Sequence, residues 1–155
     1  MIVLHCYVPG VREDDQAKCW EALVPVRARW PVLDVEVPPG ADLGYAWAFR
    51  RAWGKDTLLN IEHDVAPSVE LVDALALCPQ PLCTRPPGGS PAQDAGQVCW
   101  LGCTKIALGV QLAVPWAPIL RPWDKLDVDL TATLQQASGR YWHVHKEPLE
   151  HYHHA

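Results

Sequence analysis

The first half of this sequence alternates apolar, β-prone runs with segments of helical periodicity, and this order constrains the fold more than any other feature. The apolar runs are residues 2–8, 31–39 and 57–67. The helical segments that follow them are residues 12–24, 41–53 and 68–77. Strand–helix–strand order predicts parallel strands joined by right-handed crossovers, with helices on the faces of the sheet. We therefore predict an α/β fold, a three-layer α/β/α sandwich with a mostly parallel central sheet.

Local signals predict where the three helices begin and end. Pro25 is expected to end or kink the first helix, because proline has no backbone N–H to donate. Asp42 is a candidate cap for the second helix, and Gly54 is placed to stop it. Ser68 is a candidate cap for the third helix.

The second half of the sequence is less regular. We predict a short strand in "PLCTRP", a loop at residues 86–97, a strand-like segment "VCWLG", a helix at residues 127–138 that ends at Gly139, and a last strand at residues 141–145. The segment "CTKIALGVQL" fits a strand and a helix equally well. No repeat and no linker divides the chain, so residues 1–155 are interpreted as one domain.

Charge and hydropathy argue against two classes of protein. The formal net charge of -5 at pH 7 disfavours a nucleic-acid partner, because phosphate binding needs a basic surface. No run approaches the roughly 20 apolar residues that a membrane span needs. The sequence "MIVLHCYVPG" has neither a basic leader nor a cleavage site, so we interpret it as a strand and expect a cytoplasmic location.

The third apolar run ends in the polar residues Glu62, His63 and Asp64. On an extended backbone, residues two apart project from one face, so Glu62 and Asp64 are expected to point together and His63 away. Neighbouring carboxylates repel each other, and a divalent cation that accepts both oxygens removes the repulsion. Ligands bind at the carboxyl ends of parallel strands, where this motif falls. A solvated turn is the alternative interpretation.

A second polar pair, His143 and His145, has the same spacing in the predicted last strand. Imidazole nitrogens combined with carboxylate oxygens suit manganese, with magnesium as the alternative. We therefore predict a Mn²⁺ or Mg²⁺ site with Glu62, Asp64, His145 and His143 as candidate ligands. The histidines of the tail "HKEPLEHYHHA" are expected to be solvated.

Four of the six cysteines form a C-x4-C…C-x3-C array: Cys78, Cys83, Cys99 and Cys103. This spacing is looser than that of most zinc ribbons, and free cysteine inside an apolar segment behaves as a small hydrophobe. Buried thiols are therefore the expected state, and a structural zinc site is the alternative. Disulfides are not expected without a signal peptide.

Two segments resemble GT-A-type glycosyltransferases, which use nucleotide-sugar donors. Residues 40–68 ("GADLGYAWAFRRAWGKDTLLNIEHDVAPS") carry a small-residue, arginine-bearing helix and then an apolar strand that ends in a D-x-D-like motif, here Glu62-His63-Asp64. Residues 123–145 ("WDKLDVDLTATLQQASGRYWHVH") are similar to a later block of the family, in which an acidic pair opens a helix and the next strand brings in a histidine. Glutamate replaces the first aspartate of the commoner motif.

The resemblance implies a GT-A-like fold with a Rossmann-like nucleotide-binding half. It also implies a glycosyltransferase of the hexosyltransferase type, with a UDP- or GDP-linked sugar as donor and an unidentified acceptor. The metal, with Asp64 as its principal ligand, would neutralise the departing diphosphate. Asp127, favoured over Asp129, would deprotonate the acceptor hydroxyl. The candidate nucleotide contacts are Tyr7, Pro9, Asp34, Arg50, Glu62 and Asp64.

Further side chains are candidates for binding. Arg85, Thr104 and Lys105 are candidates for phosphate or acceptor contacts. The tryptophans Trp100, Trp116 and Trp123 would stack on a sugar ring or, as is commoner, fill the core.

The sequence leaves three alternatives open. A nucleotidyltransferase shares the alternating sheet and the metal, but usually has a glycine-rich phosphate loop near its first strand, which "YVPGVRED" does not resemble. A cupin-like metal enzyme would use His143 and His145 of "HVHKE", although three helical segments disagree with its β-scaffold. A non-enzymatic interaction module would leave the acidic strand end solvated.

Overall fold

The computed structural model describes residues 1–41, 43–86, 100–114, 123–140 and 142–152. The elements in chain order are β1 (Ile2–Tyr7), α1 (Glu13–Arg27), β2 (Val32–Glu36), α2 (Gly44–Ala52), β3 (Leu58–Ile61), β4 (Val65–Pro67), α3 (Val69–Leu77), β5 (Leu82–Thr84), β6 (Cys103–Ile106), α4 (Leu108–Ala113), α5 (Trp123–Ser138), β7 (His143–Val144) and β8 (Leu149–His151). The predicted alternation of the first half is confirmed.

Six strands form the central sheet in the order β2-β1-β3-β6-β5-β7. Strand β1 pairs in parallel with β2 and β3, and β5 pairs in parallel with β7. Strand β6 is antiparallel to both of its neighbours, β3 and β5. The mostly parallel sheet predicted from the sequence is therefore confirmed for the described strands. The carboxyl ends of the other five strands meet at one edge, which we call the carboxyl edge.

Helices cover both faces of this sheet, because alternate strand residues point to opposite sides. On one face, Leu4 and Leu58 belong to a buried cluster with Phe49 of α2 and Leu130 of α5. On the other face, a second buried cluster combines residues of β1 and β3 with residues of α1 and α3: Val3, Leu59, Leu23 and Leu71. Continuous apolar strands are typical of sheets buried on both faces, and this burial is what makes the sheet a rigid support.

Pro25 was predicted to end or kink the first helix, and the structure shows that it does not end it. Helix α1 continues through it to Arg27. Pro25 removes one backbone hydrogen bond, but it is exposed, so water can satisfy the carbonyl that lost its donor. The flanking residues Leu23 and Val26 are fully buried and hold the helix against the sheet.

The other predicted boundaries had mixed outcomes. Ser68 caps α3 as predicted, since its hydroxyl accepts a hydrogen bond of 3.1 Å from the Leu71 N–H. Gly54 follows the end of α2 at φ 72°, a conformation that favours glycine. The predicted cap Asp42 lies outside the described residues, as does nearly all of the predicted loop at 86–97.

The predictions were least accurate after residue 97. Of the predicted strand "VCWLG", residues 100–102 are not in a strand, and Val98 and Cys99 lie outside the described residues. The segment "CTKIALGVQL", which fits both states, divides into a strand at Cys103–Ile106 and a short helix at Leu108–Ala113. The helix expected at 127–138 begins at Trp123. The strand at His143–Val144 is not the last, because β8 pairs with β4. No helix in the described ranges combines the length and the apolar character needed to cross a membrane.

Candidate functional site

The acidic motif leaves the sheet at the carboxyl end of β3, but its backbone is not extended. The Glu62 N–H donates to the Gly102 carbonyl at 3.0 Å, and the Val65 N–H donates to the Glu62 carbonyl at 3.2 Å. The second bond closes a four-residue turn. The prediction that Glu62 and Asp64 project from one face of a strand is therefore wrong in its premise. The turn instead presents the two carboxylates to different neighbours.

Three carboxylates, those of Glu62, Asp64 and the partly buried Asp127, each have a buried oxygen without a hydrogen-bond partner among the described residues. Glu62 is 4% exposed and Asp64 is 7% exposed. The unpartnered atoms are Glu62 Oε1, Asp64 Oδ1 and Asp127 Oδ1, and each is inaccessible to solvent. Buried polar atoms nearly always have a partner, so three such oxygens at one edge of a sheet call for an explanation.

The pKa values of Glu62 and Asp127 are both raised. Burial raises the Glu62 pKa well above its ordinary value, and the charges of Asp127 and Asp64 raise it further. Burial also raises the pKa of Asp127 to about 7, although a backbone hydrogen bond from Leu101 opposes the shift. Without a cation, this part of the site therefore holds a proton near neutral pH. A divalent cation would replace that proton and accept the free oxygens.

The pKa of Asp64 is lowered instead. Burial acts to raise its pKa, but a hydrogen bond from His151 and the positive charges of His63, His151 and Arg12 lower it below the ordinary value. Arg12 Nη1 lies 3.3 Å from Asp64 Oδ2, and His151 Nε2 lies 3.5 Å from the same oxygen. Asp64 is therefore ionised at neutral pH, and its second oxygen, Oδ1, is the one without a donor.

Arg12 is a site residue that the sequence analysis missed. It precedes α1 with φ 49°, and it is the one non-glycine residue with positive φ in the described chain. Gln16 fixes this turn, because its side chain bonds the Val8 N–H at 2.9 Å, the Val8 carbonyl at 2.6 Å and the Val11 carbonyl. Arg12 Nη2 is buried without a partner in the described structure. The position after the first strand of a parallel sheet was the available signal.

A surface depression of about 600 Å³ opens beside Arg12. Its lining is highly charged: Gly10, Arg12, Glu13, Asp14, Asp15 and Lys18. Because Arg12 contacts both this depression and Asp64, it links the acidic motif to solvent-accessible space.

His63 points toward α2, where its Nδ1 hydrogen-bonds the Tyr45 hydroxyl. Burial lowers the pKa of His63. Burial also raises the Tyr45 pKa, and the Glu62 charge adds to that increase. Both groups are therefore neutral at pH 7, and their contact holds the middle residue of the motif in place.

The predicted metal ligands do not all come together. Glu62 and Asp64 share the turn after β3, but β7 is three strand spacings away, about 14 Å. His143 is exposed, and its ring contacts the ring of His145 at 4.8 Å between centroids. In the described part of the chain, the one group of three metal-binding side chains with donor atoms within 4.8 Å of one another contains His145 and neither acid. A cation at the acidic motif would therefore keep positions open for other oxygens.

Both candidate bases, Asp127 and Asp129, lie within α5. Asp127 lies in the second turn of the helix, within electrostatic reach of Glu62. Asp129 is two residues further along, about 200° around the helix axis, and so faces another direction. Of the two, the structure brings Asp127 to the acidic motif.

The candidate nucleotide contacts are divided. Tyr7 ends β1, where its hydroxyl donates to Glu36 at 3.2 Å, and Pro9 lies exposed in the following turn. Asp34 lies inside β2, where it accepts bonds of 2.6 and 2.8 Å from Arg27 and contacts His5 at 2.9 Å.

Arg50 is exposed, and its guanidinium lies 5.0 Å from the Trp47 ring. Tyr7 and Pro9 therefore lie at the carboxyl edge, whereas Asp34 is occupied by an ion pair and Arg50 is on the solvent side of α2.

The further candidates mostly have structural partners. Thr104 is fully buried and contacts the Thr84 hydroxyl at 3.0 Å. Lys105 donates to the Cys78 carbonyl at 2.6 Å, and Arg85 donates to the Glu147 carbonyl at 2.8 Å.

Among the tryptophans, Trp100 is half-buried beside the site. Its ring centroid lies 5.8 Å from that of His151, which in turn contacts Asp64. The Trp100 ring also packs against the Cα of Gly102, where a methyl group would clash with it. Trp116 and the side chain of Trp123 lie outside the described residues. Trp100 is thus the tryptophan that the described structure brings to the carboxyl edge.

The tail histidines were predicted to be solvated, but His151 is largely buried. Strand β8 carries His151 onto β4, opposite Val65, and its side chain is 9% exposed. The Tyr152 N–H also donates to the Asp64 carbonyl at 3.0 Å. The segment after β7 is therefore part of the site.

Comparisons with known proteins do not assign this chain to a family. No family model matches the sequence, and no curated protein is significantly similar to it. The residues of the site are therefore the basis for assigning its chemistry.

Proposed function

We propose that this protein is a metal-dependent glycosyltransferase that uses a nucleotide-diphosphate sugar. One observation carries the proposal: Asp64 and Asp127 both lie within electrostatic reach of Glu62 at the carboxyl edge, and each of the three has a solvent-inaccessible carboxylate oxygen with no partner among the described residues. Such an arrangement is costly without a cation, because each unsatisfied buried group costs roughly 1–3 kcal/mol. It is also where an open α/β sheet binds its ligands.

Glu62 and Asp64 are the proposed holders of Mn²⁺ or Mg²⁺. Hard cations of this kind take oxygen ligands and commonly bind through one or two carboxylates together with substrate phosphates. The cation would stabilise the negative charge that develops on the departing diphosphate. Arg12 adds a positive charge beside Asp64, and its Nη2, which has no partner among the described residues, is a donor suited to a phosphate oxygen.

Asp127 is the proposed general base. A base works best when its pKa is near the working pH, and burial raises the pKa of Asp127 to about 7. The N–H of Leu101 bonds its carboxylate and fixes its orientation. In this role, Asp127 would accept the proton of the acceptor hydroxyl as that oxygen attacks the sugar.

The fold argues against one alternative function, and two others are separated from the proposal by experiment. A cupin-like enzyme needs a β-scaffold, which disagrees with a six-stranded, mostly parallel sheet covered by helices on both faces. A nucleotidyltransferase would also use an acidic metal site at this edge, and an interaction module would need none. Nucleotide binding and product analysis separate these possibilities.

The test is a thermal-shift panel of UDP, GDP and their sugar conjugates, with and without Mn²⁺ or Mg²⁺. A ligand at 100 times its Kd stabilises the folded state by about 2.7 kcal/mol. At about 2–4 °C per kcal/mol for a domain of this size, Tm should rise by about 5–10 °C. The increase should require the metal and should be lost in Asp64→Asn and Glu62→Gln.

Glu21→Gln is the matched control, because Glu21 is an exposed carboxylate on α1. It should respond as the wild type does. Stabilisation that survives Asp64→Asn, or no metal-dependent stabilisation by any nucleotide, would refute the proposal. Release of pyrophosphate from a nucleoside triphosphate, rather than of a nucleoside diphosphate from a sugar nucleotide, would identify a nucleotidyltransferase instead.

A further inference from the structure

We propose that Cys78, Cys83 and His145 form a zinc site, separate from the acidic motif and independent of the proposed glycosyl transfer. Their donor atoms all lie within 4.8 Å of one another. Cys78 follows the last residue of α3, Cys83 lies in β5, and His145 follows β7. Three separate elements thus bring two sulfurs and an imidazole to one place.

The spacing fits a tetrahedral ion. With Zn–S bonds of about 2.3 Å and Zn–N bonds of about 2.0 Å, ligand atoms in a tetrahedral site lie roughly 3.5–3.8 Å apart. Donor atoms already within 4.8 Å need only small side-chain rotations to reach that geometry. Cys83 and His145 are buried and Cys78 is half-buried, so the site would have one partly open side.

His145 is oriented as a metal-binding histidine is. Its Nδ1 lies 3.3 Å from Glu147 Oε2, and its Nε2 is buried without a partner among the described residues. Metal-bound histidines usually use one ring nitrogen for the ion and the other for a carboxylate or carbonyl that fixes the ring. The His145 N–H also donates to the Thr84 carbonyl at 2.9 Å, which anchors the backbone to β5.

Charge also favours zinc at this site. Two cysteine thiolates would neutralise one Zn²⁺. Lys105 is buried and donates to the Cys78 carbonyl at 2.6 Å, so it also fixes the chain that carries the first thiolate. The neutral metal–dithiolate unit lowers the cost of placing the ion below the protein surface.

The two sulfurs and one imidazole nitrogen determine which metal this site prefers. Thiolates favour zinc and other soft or borderline ions, whereas Mn²⁺ and Mg²⁺ favour oxygen. Three protein ligands leave the fourth tetrahedral position for water or another small ligand. The two proposed sites of this chain should therefore take different metals.

The proposed ligands differ from the cysteine array considered from the sequence. Cys103 pairs with Ile61 on β3 and belongs to the buried cluster on the α1 and α3 face, and Cys99 lies outside the described residues. The histidine comes from the pair that the sequence suggested for the acidic site.

The test is Co²⁺ and Zn²⁺ titration of the metal-free, full-length chain, reduced and under anaerobic conditions. We expect one equivalent of Co²⁺ to give thiolate-to-metal charge-transfer absorption and tetrahedral d–d bands, both abolished by Zn²⁺. Cys78→Ser and His145→Gln should weaken zinc binding at least tenfold. Glu147→Gln should weaken it about 10–100-fold without removing a ligand.

Cys19→Ser is the control, because Cys19 is a free cysteine of α1 outside the cluster. It should bind zinc as the wild type does. Cys78 is half-buried, so its serine variant should fold, and circular dichroism will verify this. Absence of thiolate charge transfer in the wild type, wild-type affinity in folded Cys78→Ser, or an equal loss in Cys19→Ser would overturn the site.

Discussion

Replacing Asp127 by asparagine should stabilise the metal-free protein at alkaline pH. Burial raises the pKa of this side chain from 3.8 to about 7, and Oδ1 has no partner among the described residues. Asparagine keeps an acceptor for the Leu101 N–H and has nearly the same shape. It also carries no charge, so the cost of ionising a buried carboxyl beside Glu62 disappears.

The magnitude follows from the pKa. A pKa unit corresponds to about 1.36 kcal/mol, so ionised Asp127 destabilises the folded state by about 4 kcal/mol above pH 7. Because the folded state binds the proton more tightly than the unfolded state, stability from this group is intact below pH 3.8 and is lost as pH rises through 7. Partial exposure of Asp127 admits solvent screening, which reduces the expected effect to about 2 kcal/mol.

The assay is urea denaturation of the wild type and Asp127→Asn at pH 4.5 and pH 8, with chelator present. The variant should exceed the wild type by about 2 kcal/mol at pH 8, equivalent to roughly 4–8 °C in Tm, and by much less at pH 4.5. Asp129→Asn on another side of α5 controls for the loss of an acidic residue from this helix. Equal stability of wild type and Asp127→Asn at pH 8 would refute the assigned burial of this carboxylate.

Two further predictions concern the supports of the site. Ser68→Ala should lower the free energy of unfolding by about 1 kcal/mol, because the Leu71 N–H loses its cap, and denaturant unfolding will measure it; an unchanged midpoint would contradict the assigned cap. Gln16→Ala should cost about 2 kcal/mol or more, because Val8 and Val11 lose the side chain that bonds their backbone groups. In that variant, hydrogen exchange should accelerate at Val8 but not in α3, and uniform acceleration would argue against a local role.

The alternating strands and helices of the first half could be predicted from local sequence patterns. Each strand and helix there has a local pattern of apolar residues that reports which of its faces is buried, and this pattern does not depend on distant partners. The cap at Ser68 was predictable for the same reason, since its hydroxyl bonds a group three residues away. The position of Glu62 and Asp64 at the end of a central strand was also predictable, because parallel strands share a carboxyl edge.

Which side chains lie together at that edge depends on long-range packing and could not be predicted from the sequence. The turn after Ile61 places the side chains of Glu62 and Asp64 against different neighbours. The spacing of apolar residues does not predict such a turn. Arg12 and His151 reach Asp64 from segments 52 and 87 residues away in the sequence.

The order of the strands had the largest effect on which residues come together. Strands β6 and β5 lie between β3 and β7, so His145 is too far from the acids and lies beside Cys78 and Cys83 instead. Local patterns specify buried faces, whereas the partners of a buried polar group follow from the order of strands, which long-range packing sets.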